Sequence, residues 1–246
     1  MFKRIIKNIM STYRLRQVGF GSVNYIDVGS IGGLPEPWGR NSDKINFLLK
    51  FEPNDEAKES RHSLTCNIAL WETDGEKEFY IYKGLGGTGS SLYKQNYAYV
   101  QGNWGELKLK GSRELANTWF ERSKLEKTTS LVCRSLDGVL NELFPEKQFH
   151  FIKIDAQGAE QSILKGANEL LSTSCVGLQL ELFVLPLYEG IALMDEVVAY
   201  LEALDFELVK KFPAHGSFDS QHECVFLHKN RNPEIVEAIK MVYGLV

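Results

Sequence analysis

Five stretches of the chain are nearly continuous in apolar and β-forming residues: VNYIDV (23–28), KINFLLKFEP (44–53), LTCNIALW (64–71), FHFIKIDA (149–156) and CVGLQLELF (175–183). Runs of this length between turn-forming residues suit strands buried on both faces, as in a parallel sheet. Helical patterns lie between and after them. SLDGVLNELF (135–144) follows a turn-like Ser-Leu-Asp, and in AEQSILKGANELL (159–171) Ile163, Leu164, Ala167, Leu170 and Leu171 recur at helical spacing. In IALMDEVVAYLEAL (191–204), Met194, Val197, Val198 and Leu201 do the same. Strand–helix alternation predicts crossover units and a doubly wound α/β sheet. ECVFLHK (223–229) reads as a last strand, antiparallel at or near an edge. GLGGTGSSLYKQNYAYVQGNW (84–104) reads as a long ordered loop, either a lid or binding loop or a plain surface excursion.

Composition narrows the class. With 246 residues, 43% hydrophobic and 24% charged, the chain is expected to form one large α/β domain, with no linker to divide it. A formal net charge of −4 makes nucleic acid a poor partner. Cys66, Cys133, Cys175 and Cys224 are scattered and form no CxxC pair, which argues against a zinc site or disulfide framework and for reduced thiols in the cytoplasm. Residues 1–22 stand apart from the domain expected over 23–246. They carry Lys3, Arg4, Lys7, Arg14 and Arg16 and no acid, with Ile5, Ile6, Ile9 and Met10 on one face of a short helix. The apolar run is too short to span a bilayer. It reads as a weak membrane-surface or partner contact, or as a helix packed on the domain or a frayed end, and the second is favoured.

Candidate chemistry gathers at strand ends. Asp27-Val28-Gly29-Ser30-Ile31-Gly32-Gly33 follows the first strand, where a glycine turn lets a ligand approach the backbone. The spacing is not the GxGxxG of dinucleotide sites, and Asp27 would repel a pyrophosphate but attract an ammonium group, which favours S-adenosylmethionine over NAD. Glu52, in Phe51-Glu52-Pro53-Asn54, ends the second strand about twenty residues on, the offset of an acid that holds ribose hydroxyls. Asp155, in Lys153-Ile154-Asp155-Ala156-Gln157-Gly158-Ala159-Glu160, ends the fourth run and faces the same crevice, whereas Glu160 has a structural reading as a first-turn helix acid or a partner for Lys153. Glu181 lies in an apolar strand, where burial would raise its pKa and suit it to proton removal; a salt-bridged strand-end acid is the even alternative.

These segments resemble FkbM-type methyltransferases. IDVGSIGG, FEPN, NIAL with DGE, GSSL (89–92), SLDGVL, FIKIDAQGAEQSILKGA and LQLELF occur in that family's order over roughly residues 24–228, and KIDAQGAEQSILKGA is the most specific part. The resemblance implies a Rossmann-like class I methyltransferase fold: a mostly parallel seven-stranded sheet with one antiparallel strand and helices on both faces. It implies methyl transfer from S-adenosylmethionine to an oxygen of a sugar, glycan precursor or small natural product. By position it places Asp27, Gly29, Ser30 and Gly32 along the methionine end, Glu52 with Pro53 at the ribose, Asn67, Ile68 and Ala69 near the adenine, and Asp155 beside the reacting centre. Two departures stand out. Gln157 replaces the family's usual Glu, and the glycine loop runs on into Leu34-Pro35-Glu36-Pro37-Trp38, altering the wall beside the donor.

An acceptor hydroxyl must lose its proton, and the candidates for the base are Asp155, Glu181, His215 and His222, the two histidines lying in the polar segment PAHGSFDSQHE (213–223). No metal-ligand spacing is visible. Two other classes stay open: an NAD(P)-dependent oxidoreductase on a similar fold, disfavoured by the missing GxGxxG, and a silent module that kept the cofactor pocket. Acceptor choice is expected to reside in segments 34–42, 84–104 and 213–222, where Tyr93, Tyr97 and Tyr99 either stack on sugar rings or pack the loop.

Overall fold

A computed structural model describes residues 21–29, 33–53, 56–84 and 88–245. The expected N-terminal helix (1–20) and the positions of Ser30 and Gly32 lie outside the described residues. In chain order the elements are β1 (Val23–Val28), β2 (Ile45–Phe51), β3 (Lys58–Ser60), β4 (Ser63–Cys66), β5 (Ala69–Leu70), β6 (Gly75–Tyr82), α1 (Tyr97–Gly102), α2 (Trp104–Leu107), α3 (Arg113–Asn117), α4 (Trp119–Arg122) and β7 (Leu125–Arg134). They continue with α5 (Leu136–Leu143), β8 (Phe151–Ile154), α6 (Glu160–Lys165), α7 (Asn168–Thr173), β9 (Gly177–Phe183), α8 (Met194–Glu202), β10 (Phe206–Lys211), β11 (Gln221–His228) and α9 (Pro233–Tyr243).

The main sheet runs β10-β11-β9-β8-β1-β2-β4-β3. Strands β4, β2, β1, β8 and β9 are mutually parallel, and β11 is antiparallel to both β9 and β10. The sheet is therefore mixed and eight-stranded rather than seven-stranded. The additional strand is β3, a short exposed segment that folds back on β4 and blunts the edge. It is polar and only three residues long, so it gave no hydrophobic signal.

Burial follows the reading of the apolar runs: every residue of β1, β8 and β9 is buried. Strand parity sorts the side chains. Ile26, Val28, Ile152, Ile154, Leu178, Leu180 and Leu182 enter one core with α5 to α8. Tyr25, Phe151, Val225 and Leu227 face the other way, under Trp38 and α9. Trp38 is fully buried, 5.0 Å from the Tyr25 ring and 4.9 Å from Phe151, and its Nε1 donates to Tyr243 Oη at 3.0 Å. Trp38 is thus a core plug rather than an open wall of the donor site.

Three further expectations change. LTCNIALW is two strands, not one. β4 pairs with β2 as far as Cys66, and β5 then joins a separate three-stranded sheet, β5-β7-β6; an apolar run carries no mark of a change of direction. AEQSILKGANELL is broken at Gly166, where a Cβ would stand 2.3 Å from the Trp71 carbonyl oxygen. The carboxylate of Asp137, from α5, caps the second half by accepting from Glu169 N (2.7 Å) and Leu170 N (3.0 Å). Segment 84–104 ends in helix: Asn96 accepts from Tyr99 N at 3.1 Å and starts α1. Its tyrosines pack inward in part, Tyr93 Oη lying 3.1 Å from Ser162 Oγ and Tyr97 Oη donating to Phe120 O at 3.4 Å. The four cysteines are free and buried. Among the described residues no helix is long and apolar enough to cross a membrane.

Candidate active site

The face under Trp38 changes character along the strands. Its lower row, with Leu48, Tyr25 and Phe151 in register, is apolar. One step toward the carboxyl ends, Lys50, Asp27, Lys153 and Gln179 stand side by side on β2, β1, β8 and β9. All four are buried, and alternating the two lysines with Asp27 makes that burial tolerable. One step further come Glu52, Gly29, Asp155, Glu181 and Glu223, the last two directly opposite across β9 and β11. Every expected acid thus reaches the carboxyl ends of the strands on one face. The strand order reverses here, β1 lying between β2 and β8, and open α/β sheets bind ligands at such a point.

At the end of β1, Gly29 has φ 77°, and a Cβ there would sit 1.9 Å from the Asp155 carbonyl oxygen. Its N–H donates to Phe51 O at 3.0 Å, and Asp155 N donates to Val28 O at 3.1 Å, so the ends of β2, β1 and β8 are tied together. Only glycine permits that approach. Glu52 is buried, its N–H donating to Cys66 O at 3.1 Å, with half-buried Pro53 next to it. Asn67 (exposed), Ile68 (half-buried) and Ala69 (buried) follow β4 at the same end of the sheet.

At the ends of β8 and β9 the acids form a carboxylate network. Lys153 Nζ lies 3.1 Å from Asp155 Oδ2. Burial pulls the Lys153 pKa down, but Asp155 and Asp27 more than offset it, and the net shift is upward. Gln157 Nε2 donates to Asp155 Oδ1 (3.1 Å) and to Glu181 Oε2 (2.8 Å), and Gln221 Nε2 donates to the same Glu181 oxygen (2.6 Å). Burial, then the nearby charges of Asp155, Glu160 and Glu223, hold the Glu181 pKa well above the ordinary glutamate range. Glu160 takes the structural role: it accepts from Ala156 N (2.9 Å) and Gly158 N (3.3 Å) at the start of α6, and burial pushes its pKa up to about 7.

His215 is held by a backbone bridge to Gln221 and puts Nδ1 3.9 Å from Glu181 Oε1. His222 alternates to the opposite face, with Leu182 across from it and its Nδ1 2.8 Å from Phe212 O, so it leaves the set of base candidates. Sequence reasoning missed Glu223, Gln221 and Tyr188. Gln221 and Glu223 share the parity of Gln179 and Glu181 on β9, but His222 between them breaks the apolar alternation and blunts the signal; Tyr188 lies in an irregular segment and gave none.

Glu181, His215 and Glu223 offer donor atoms all within 4.8 Å of one another. They come from two strands and a loop, which hides them from any spacing rule. Ligands about 2.1 Å from a divalent ion stand roughly 3–3.5 Å apart. His215 Nδ1 and Glu181 Oε1 are 3.9 Å apart, and Glu181 Oε2 already accepts two amide hydrogens.

An open α/β sheet with a glycine turn and carboxylates at its strand ends is a frame that methyltransferases share with other nucleotide-binding enzymes. Residues 39–208 match the family model described as the methyltransferase FkbM domain, and the chain belongs to that family. The matched span holds Glu52, Asp155, Gln157 and Glu181, while Asp27, Gly29 and His215 fall outside it. A solved structure of methyltransferase FkbM from Methylobacillus flagellatus KT is similar at 13% identity and a TM-score of 0.45, covering 84% of this chain. This chain spans 44% of that one's length. No curated protein matches.

Proposed function

We propose that the enzyme transfers the methyl group of S-adenosylmethionine to a hydroxyl oxygen of a sugar, glycan precursor or small natural product. The observation that supports this reading is the row Glu52, Gly29, Asp155, Glu181: a glycine turn and three acids adjoin at the carboxyl ends of neighbouring strands of one sheet. The residues fit the cofactor. Gly29 lets the end of β1 pack directly on the Asp155 carbonyl and so gathers the strand ends, the buried Glu52 carboxylate has the chemistry to accept from ribose hydroxyls, and Asp27 brings negative charge one step away. The bound sulfonium supplies an already activated methyl group.

The protein must then align the acceptor, exclude water and take one proton. Glu181 is the best base of the three candidates. Its raised pKa matches it to a proton that leaves as the methyl–oxygen bond forms; two amides occupy its Oε2, and its Oε1 lies toward His215. Asp155, paired with Lys153, orients the acceptor, and His215 borders the mouth. The net charge of −4 and the free buried thiols support an uncharged or cationic acceptor, no nucleic acid, and a reducing cytoplasmic setting.

The test is isothermal titration calorimetry with S-adenosylhomocysteine, with NAD and NADP in parallel, followed by transfer of labelled methyl groups to a panel of sugars and polyols with Glu181→Gln as control. Binding of S-adenosylhomocysteine alone and an inactive control agree with the proposal. Binding of a nicotinamide cofactor instead, or full transfer by Glu181→Gln, defeats it.

A further inference from the structure

Gln157 sits at φ 51°, in the left-handed region that a side chain normally avoids, and Gly158 follows at φ 100°. Such a conformation persists where its surroundings over-determine it. Here every polar group of the side chain, and the carbonyl, is engaged. The Gln157 carbonyl accepts from Ser91 Oγ at 2.7 Å. Its Oε1 accepts from Tyr188 Oη at 3.1 Å, and that hydroxyl also lies 2.9 Å from Gly89 O. With Nε2 toward Asp155 and Glu181 and Oε1 toward the tyrosine hydroxyl, every donor of the amide meets an acceptor and its oxygen meets a donor.

One hydrogen of Nε2 goes to each carboxylate. Gln221 adds a second hydrogen to Glu181 Oε2, which leaves that oxygen saturated, while Oε1 lies toward His215. We propose that Gln157 is the positioning residue of the acceptor side, an amide bridge that holds Asp155 and Glu181 in fixed relation and leaves Glu181 Oε1 as the oxygen that meets an acceptor hydroxyl. This rests on the reading of Glu181 as the base. The 88–91 segment, through Ser91 and the Tyr188–Gly89 contact, fixes the bridge from above, so the segment nearest the acceptor and the proton-accepting oxygen are set by the same residue.

Several charged or titratable groups face Glu181: Asp155 and Lys153 on β8, Glu160 on α6, Glu223 on β11, His215 in the loop before β11, and Tyr188. Only Lys153 is a permanent cation. Removing the amide therefore leaves Asp155 and Glu181 as two like charges with less to stabilise them, and a proton is retained more firmly.

The experiment is carbon-13 NMR titration of the full chain labelled at the glutamate side-chain carboxyl, with Glu181→Gln to assign the signal. In Gln157→Leu, the Glu181 midpoint should rise by about one pH unit or more above wild type, the size of a lost hydrogen bond to an ionised carboxylate. In Gln157→Glu, which adds a third acid, it should rise further. Tyr188→Phe leaves residue 157 intact and should raise the midpoint by less, which keeps a readout if the Leu variant fails to fold. Midpoints equal to wild type in the folded variants overturn the proposal, because a merely structural Gln157 would not move them. S-adenosylhomocysteine affinity, measured on the same samples, separates the two readings: loss of binding in wild type would defeat the methyl-transfer reading and leave the titration result standing.

Discussion

On the donor side, Gly29 and Glu52 are set by backbone: N–H to carbonyl bonds of 3.0 and 3.1 Å lock the strand ends, and the side chains follow from where each strand stops. On the proposed acceptor side, Glu181 stands on β9 and Asp155 directly follows β8, but what they can do is set by side chains from other places: Gln157 in a turn, Gln221 on β11, Tyr188 in an irregular segment and His215 in a loop. The first kind of site tolerates little change and varies little in chemistry. The second can be retuned one side chain at a time.

The comparison is broken most severely at Gly29. Gly29→Ala forces a Cβ into the Asp155 carbonyl and should cost about 2–4 kcal/mol of stability together with cofactor binding, read by denaturant unfolding and calorimetry. A mild effect would show that backbone does not fix the donor side. Next is the buried acid beneath the acceptor turn. Glu160 binds its proton more tightly in the folded protein than in the unfolded chain, its pKa being about 7. Between the unfolded value and about 7, stability should therefore fall as pH rises, by up to ~3 kcal/mol. Glu160→Gln should remove that slope, and unfolding at pH 5 and 7 compares the two proteins. Glu52→Ala should weaken S-adenosylhomocysteine binding by about 1–3 kcal/mol, and unchanged affinity would take the ribose role from Glu52. Glu181→Gln should change that affinity by less than about 0.5 kcal/mol, because it belongs to the other side. His222→Ala, on the opposite face, should change neither affinity nor methyl transfer.

The two sides also differed in how far the sequence exposed them. Asp27, Gly29 and Glu52 were legible because a buried strand ends where its apolar run ends, and β1 was bounded correctly from the pattern alone. Asp155 and Glu181 were legible for the same reason. The amide bridge was not: Gln157 registered only as a departure from the family, and its partners lie 24 and 31 residues away along the chain. The helix break at Gly166 was equally hidden, since it answers to the Trp71 carbonyl arriving from a different strand. The β6–β7 pair went unseen because half its residues are exposed and few are buried, so hydrophobic periodicity had little to report.

Parity along β9 decides which residues reach the cleft: Gln179 and Glu181 point one way, Leu178, Leu180 and Leu182 the other. Deleting a single residue within this strand would exchange the two sets, sending leucines into the cleft and an acid into the core. Segments 34–41, 88–96 and 213–220 are under a looser constraint, since they connect elements and carry isolated bridges, at Ser91, Gln95, His215 and Ser217, rather than a ladder. Insertions and deletions in this lineage should therefore collect in those connections and be absent from β1, β8 and β9, so that the reach of the enzyme toward new acceptors changes by loop length while its carboxylates stay in place.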